Sequence, residues 1–294
     1  MGVEITTTFK NKYNANIEFL SQQMRSRFRD KVEYEDCMGS EGARVVNQIG
    51  AIDPVKRTTR HADTPLVDTP HDARWVYPED YEAGELVDRQ DVLRAVTNPT
   101  SRYARNFAMA MNRAIDDEII AAFFSDTTKT GKNGTVTTDW TTFIGASTAH
   151  HIDATSGMTV EALRAAKEAL EAAEVDEDDE FWVAISAKQH RNLLSETQII
   201  SLDYNEKPVL VAGKISSFMG FNFVHSERLA TDSSSRRRCP AWAKSGMCLG
   251  VWEDIRGEID RRPDKSYSTQ VYACTTIGAT RVEEEKIVEI ACTE

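Results

Sequence analysis

"TPHDARWVYPEDYEAGELVDRQDVLRAVTNPTSRYARNFAMAMNRAIDDEIIAAFF", from Thr69 to Phe124, changes period halfway along. In its first half Trp75, Tyr77, Tyr81, Ala83 and Val87 share one parity, which predicts a strand face over Arg74–Val87. In its second half Tyr103, Phe107, Met111, Ile115, Ile119 and Phe123 advance in steps of four, and Ala104, Ala108, Ala114, Ala121 and Ala122 add helix propensity. Thr97-Asn98-Pro99-Thr100-Ser101 supplies a capping side chain and a proline near the first turn. The pattern predicts a helix over Ser101–Ser125, about 37 Å long at 1.5 Å per residue. Asp116 and Asp117 point about 100° apart on it and do not form a facing catalytic pair; capping, solvation or an ion pair between subunits suits them better.

Upstream, ARVVNQIGAIDPVKR (Ala43–Arg57) is β-branched and predicts a long, irregular strand. It and Arg74–Val87 can pair as a long hairpin. Pro54 and Pro78 then belong at edges or bulges, because proline donates nothing to a ladder. The tip holds His61, Asp63, Asp68, His71 and Asp72 among prolines and threonines. The first forty residues read as an arm. Tyr13, Ile17, Leu20, Met24 and Phe28 form a narrow helical stripe, and Arg25, Arg27, Arg29 and Lys31 make a local basic island.

Downstream, Asp126–Gly157 reads as loops with at most a short strand. Thr159 caps a helix over Thr159–Val175, Phe181–Ser186 is a short buried strand, and Lys188–Leu194 is another short helix. Ile215–Val224 is a strand pair broken by Gly220, and Ala230–Arg238 is an exposed loop. Strands fill the tail at Gly246–Asp254, Ser268–Val282 and Lys286–Thr293, with Gly278 expected to break or bend the middle one.

The chain has 294 residues, enough for one large domain or two intimately joined ones. No apolar run approaches the roughly 20 residues of a membrane helix. A net charge of −12 disfavours a broad grip on nucleic acid. Five cysteines with no C-x-x-C pair read as reduced thiols.

Little catalytic chemistry is visible. The cluster of His61, His71 and neighbouring aspartates has the ligand types of a zinc or manganese site, but no H-E-x-x-H or H-x-H spacing, and a proline-rich tip gives ligands little support. His150-His151 with Asp153 sits in a polar loop and reads as a surface feature. P-loop, dinucleotide and serine-nucleophile motifs are missing.

The quoted stretch resembles a subfamily of tailed-bacteriophage major capsid proteins, in which the return strand of a hairpin passes a D-x-x-D turn (Asp88 to Asp91) and an NPTS cap into a long helix. KISSFMGFNFVHSERL (Lys214–Leu229) resembles the family's G-x-P-V strand at Gly220, with Phe221-Asn222-Phe223 in place of the usual proline. The tail from Gly250 resembles the closing strands. The resemblance spans roughly Thr8 to Thr293. It implies an α+β Hong Kong 97-like capsid fold: an N-terminal arm (1–42), an extended β-hairpin or E-loop (43–88), a peripheral domain (89–158 and 265–294) with its spine helix at 101–125, and an axial domain (159–264).

That resemblance also implies a structural role. The protein would self-assemble into the icosahedral head shell of a tailed bacteriophage, as pentamers and hexamers enclosing double-stranded DNA without binding it specifically. It would need no cofactor, metal, catalytic residue or membrane, and would reside in the virion after assembly in the host cytoplasm. Because the sequence opens directly on an arm, a separate scaffolding protein is expected, together with a portal; a decoration protein stays open. The expected contacts between subunits are Arg25, Arg27, Arg29, Lys31, Arg57, Arg60, His61, Asp63, Asp68, Asp72 and Arg74. Some family members crosslink a hairpin lysine to an asparagine; Lys56 lies away from the tip, so no crosslink is expected. Two alternatives stand beside this reading: an encapsulin-like nanocompartment shell, and a metal-dependent enzyme using the His61/His71/Asp cluster.

Overall fold

A computed structural model describes residues 22–50, 52–60, 66–88, 100–128, 137–196, 210–211, 214–215 and 217–294. Its strands are β1 (Glu33–Asp36), β2 (Ala43–Ile49), β3 (His71–Val76), β4 (Glu79–Val87), β5 (Thr127–Thr128), β6 (Thr137–Thr138), β7 (His151–Ala154), β8 (Phe181–Ile185), β9 (Leu210–Val211), β10 (Lys214–Ile215), β11 (Ser217–Phe218), β12 (Phe221–His225), β13 (Arg237–Ala243), β14 (Met247–Arg262), β15 (Ser268–Arg281) and β16 (Ile287–Cys292). Two compact units divide the chain: Met1–Ser26 with Asp80–Ile115 and Glu253–Thr276, and Arg27–Glu79 with Asp116–Trp252 and Ile277–Glu294.

The larger unit is built on a six-stranded sheet in the order β11-β12-β8-β13-β16-β7. Its central strands β8, β13 and β16 are mostly buried, as strands covered on both faces are. In β16 all six residues are buried. Against this sheet lies the helix Val160–Ala172, with Val160, Leu163, Ala166 and Leu170 buried on the predicted face. Thr159 caps it, its hydroxyl accepting from the Ala162 amide at 3.3 Å. At the sheet's edge β11 and β12 pair antiparallel through a turn in which Met219 and Gly220 both take positive φ, 53° and 82°. That is the predicted glycine-broken strand pair, and two consecutive left-handed residues suit a tight hairpin.

The predicted long helix spans Thr100–Phe124. Met111, Ile115, Ile119 and Phe123 of its stripe are buried. In the larger unit Phe123 meets Trp242 with ring centroids 4.8 Å apart, and Phe28 stacks on Trp242 at 5.9 Å. The helix stops where Arg281, fully buried, donates to the carbonyls of Phe123 (2.8 Å) and Ser125 (3.0 Å). A cation there meets carbonyls that lack partners within the helix.

Several expectations need correction. The apolar stripe of the arm is not helical where it is described: Met24 is exposed, and Phe28 is buried just before a 3-10 turn at Arg29–Lys31. The reason is Asp116. Its carboxylate, fully buried on the long helix, accepts the amides of Arg27 (2.9 and 3.0 Å) and Phe28 (3.2 Å), tying that backbone to the helix side chain as the 3-10 turn begins. Tyr13, Ile17 and Leu20 lie outside the described residues. The first hairpin strand is shorter than expected, ending at Ile49. The return strand breaks after Val76, next to Pro78, and β4 joins a second sheet in the order β1-β14-β15-β4.

Asp126–Gly157 contains an unforeseen helix, Trp140–Ala146, capped by Asp139 and anchored by the fully buried Trp140. Gly278 does not break β15, which runs unbroken from Ser268 to Arg281. A side chain there would meet the Tyr77 carbonyl oxygen at 2.1 Å, so glycine allows two backbones to approach. β16 lies between β13 and β7 in the six-stranded sheet, all six of its residues buried.

Candidate functional site

The described residues 52–60 of the hairpin are all exposed. β2 and β3 pair antiparallel from Ala43↔Val76 to Ile49↔His71, with a bulge between Arg44 and Val46. The Gly50 amide donates to the Pro70 carbonyl at 2.9 Å, and no strand is described in 52–60 or 66–70. Gly50 also allows this closure, since a side chain there would lie 2.5 Å from the Pro70 ring.

The base is bolted into the fold. Arg74, 3% exposed, donates at 2.8 Å to Asp72 and at 2.8 Å to Glu284. Glu284 also accepts from the Thr127 hydroxyl at 3.4 Å and lies 3.7 Å from Arg281. Burial pushes the Arg281 guanidinium below its ordinary pKa, and the Glu284 carboxylate opposes that shift. Two buried guanidinium groups thus share one carboxylate at the end of the long helix. Gln48 adds a hydrogen bond to the Val282 carbonyl at 2.5 Å.

Beyond this base the surface is apolar and uncovered. Leu66 is 97% exposed, Ile49 66%, Val55 64% and Ile52 53%, and Val67 is exposed beside them. Among them stand the exposed Lys56, Arg57, Arg60 and Asp68, with the Arg57 guanidinium donating to the Thr59 carbonyl at 3.0 Å. Apolar side chains grouped on one projecting limb mark a surface that another body covers.

The structure separates the residues expected at contacts between subunits. Arg57, Arg60 and Asp68 lie on the exposed limb, and Asp72 and Arg74 form the ion pair at its base. Arg74 is a correction: its guanidinium is committed inside its own chain and does not face outward. His61 and Asp63 lie outside the described residues. On the arm Arg25 is exposed, while the others have partners within the chain. Arg27 donates to the His225 carbonyl, Arg29 stands 5.9 Å over the Tyr34 ring, and Lys31 stands 4.4 Å over the Trp182 ring.

Among the described residues no group of three or more His, Cys, Asp or Glu could hold a metal ion. His150 is no surface feature; it is buried, its Nδ1 3.0 Å from the Ile287 carbonyl. His151 lies 3.3 Å from Asp153 and 3.5 Å from Glu289.

The run Arg236-Arg237-Arg238 is likewise not a free basic patch. Arg236 pairs with Asp153 and Asp232, and Arg237 pairs with Glu294 at 2.9 Å. Arg238 donates to both oxygens of Glu289, at 2.5 and 2.9 Å. Glu289 also accepts from the Trp140 indole at 2.6 Å. Burial would raise the Glu289 pKa, yet these hydrogen bonds hold it below the ordinary carboxylate value.

Comparison with known proteins follows the same lines. A family model described as phage capsid protein matches residues 5–294. No curated protein matches the sequence. Among solved structures, the capsid of the cyanophage P-SCSP1u superposes with a TM-score of 0.76 at 11% identity, covering 100% of this chain and 96% of that one. The cyanophage Pam1 capsid gives 0.73 at 12% identity, covering 98% of each chain. Mycobacterium phage Che8 gives 0.64 at 18% identity, covering 95% of this chain and 98% of that one.

Proposed function

This chain belongs to the phage capsid protein family and is a structural capsid protein; from that premise we propose how it works as the major subunit of a tailed-phage head. Copies join into pentamers and hexamers, and these close an icosahedral shell around double-stranded DNA. The hairpin limb of one copy lies on the next. The observation that carries this reading is the uncovered apolar limb of Ile49, Ile52, Val55, Leu66 and Val67 above a base fixed by buried charges.

Burying one such side chain contributes about 1.5–3 kcal/mol. Each contact between copies is modest, but every subunit in a ring makes the same contact twice, once as giver and once as receiver. Summed around a closed shell, such contacts act as avidity. A stiff base matters because a loosely hinged limb would lose ordering entropy at each docking step.

The role is structural and not catalytic on this reading. The net charge of −12 and the pairing of Arg236, Arg237 and Arg238 with carboxylates favour a shell that encloses DNA without gripping its phosphates. Placement in the virion after assembly in the host cytoplasm, guidance by a separate scaffolding protein, a portal at one vertex and the domain division into arm, E-loop, peripheral and axial parts belong to the same proposal.

The test is a pair of limb variants, Val55→Asp and Leu66→Asp. Both sites are exposed in the subunit, so its thermal unfolding should be unchanged while shells fail to form on size-exclusion chromatography. Normal shells from both variants would remove the hairpin from the assembly mechanism.

A further inference from the structure

The larger unit carries a cavity of about 610 Å³ whose chemistry is the counterpart of one segment of the hairpin limb. Its lining includes Arg27 and Lys31 from the arm, Trp182, Ile185, Phe223 and Val224 from β8 and β12, and the His190 and His225 imidazoles at its side. Ile185 and Val224 are buried, Trp182 and Phe223 half-buried, and Arg27 exposed. The site therefore combines an apolar interior with two cations, in a volume within the roughly 300–1,000 Å³ usual for ligand pockets. A short apolar segment followed by an acid would satisfy both parts.

Leu66-Val67-Asp68 is such a segment. Leu66 is 97% exposed, and Val67 and Asp68 are exposed with it. Leu66 touches almost nothing in its own chain, so its own cavity is not its seat. We propose that the cavity receives Leu66-Val67-Asp68 from a second copy of this chain, with Leu66 and Val67 against Trp182, Ile185 and Phe223 and the Asp68 carboxylate against Lys31 and Arg27. The proposal rests on the reading that this chain assembles with itself through its hairpin, and it adds the receiving site.

The pairing also explains the placement of the basic island. Lys31 already stands over the Trp182 ring, which holds its ammonium at the cavity and leaves it able to meet an incoming carboxylate. Arg27 is held by the His225 carbonyl beside it. Two preplaced cations reduce the ordering cost of docking a charged segment, and opposite charges steer its register.

The test uses full-length protein with a benzophenone photocrosslinking amino acid at position 66, assembled into particles, irradiated and analysed by peptide mass spectrometry. The expected product joins position 66 of one copy to a residue lining that cavity in another, such as Trp182, Ile215, Phe223 or His225. A crosslink to any other part of the chain, or to a different protein of the particle, overturns the assignment. Particles that form normally but crosslink elsewhere refute the receiving site alone; failure of the unmodified protein to self-associate at all refutes the underlying reading.

A charge swap gives a second readout. Lys31→Glu and Asp68→Lys should each raise the protein concentration needed for assembly by about tenfold, the effect of losing a rim-to-segment ion pair of about 1.4 kcal/mol. The double variant should recover most of that loss. Strictly additive effects of the two changes would overturn the pairing of these side chains.

Discussion

Arg74 offers an internal control for how burial sets the worth of an ion pair. Its guanidinium meets two carboxylates at the same distance, 2.8 Å, but Glu284 is 10% exposed and Asp72 is 36% exposed. Glu284→Gln keeps the shape and removes the charge. It leaves Arg74 and Arg281, exposed by 3% and 0%, without a shared anion. Removing one partner of a buried ion pair costs about 3–5 kcal/mol, and Arg74 then keeps only the more exposed Asp72. Asp72→Asn removes an anion that water already screens, so its cost falls in the range of about 0–1 kcal/mol.

At about 2–3 °C per kcal/mol for a chain of this size, Glu284→Gln should lower the melting temperature by about 6–15 °C and Asp72→Asn by less than about 3 °C. Differential scanning calorimetry of unassembled subunits measures both. Equal shifts from the two variants would refute the claim that burial, and not distance, decides the strength of this network. They would also remove the argument that the hairpin base is held rigid by it.

Other perturbations follow from the same geometry. The Glu289 carboxyl has a folded-state pKa below its unfolded value, so its stabilisation is complete above the ordinary carboxylate pKa of about 4.3 and is lost as pH falls through the depressed folded value. Glu289→Gln should therefore flatten the acid side of a urea-midpoint profile; an unchanged slope would contradict the assignment. Ile119→Ala, at a fully buried site on the long helix, should cost about 2–5 kcal/mol in chemical denaturation, and a cost under about 1 kcal/mol would mean the helix is not the packed spine of the fold. Mature particles boiled in detergent should run as a single subunit band, because Lys56 lies on the limb without a partner expected for covalent joining; a ladder of multimers would overturn that expectation.

Some of this architecture could be read directly from residues. The long helix was legible because Tyr103 to Phe123 repeat in steps of four with alanines between them, and the hairpin was legible because β-branched and aromatic residues fill Ala43–Ile49 and Arg74–Val87 on either side of a proline-rich stretch. The outer part of β14 was not, since Glu253–Arg262 is mostly charged and carries little apolar alternation. Trp140–Ala146 was hidden in a polar stretch, with Asp139 as its one clear start signal. The pairing of Arg74 with Glu284 joins residues 210 positions apart, and no local pattern announces it. For the candidate site, the limb was placed by order and composition, while the structure adds that Leu66, Val55 and Ile52 on it are exposed in the single chain. The basic island shows the limit of a charge run: its spacing did not reveal that Arg27, Arg29 and Lys31 each meet a carbonyl or a ring of their own chain.

The most direct measurement is electron microscopy of the purified protein, with light scattering on the same sample. Closed round shells, or discrete pentamers and hexamers, are the result expected of a capsid subunit with an uncovered docking limb. A monodisperse monomer that stays monomeric when a scaffolding protein is added would contradict the account.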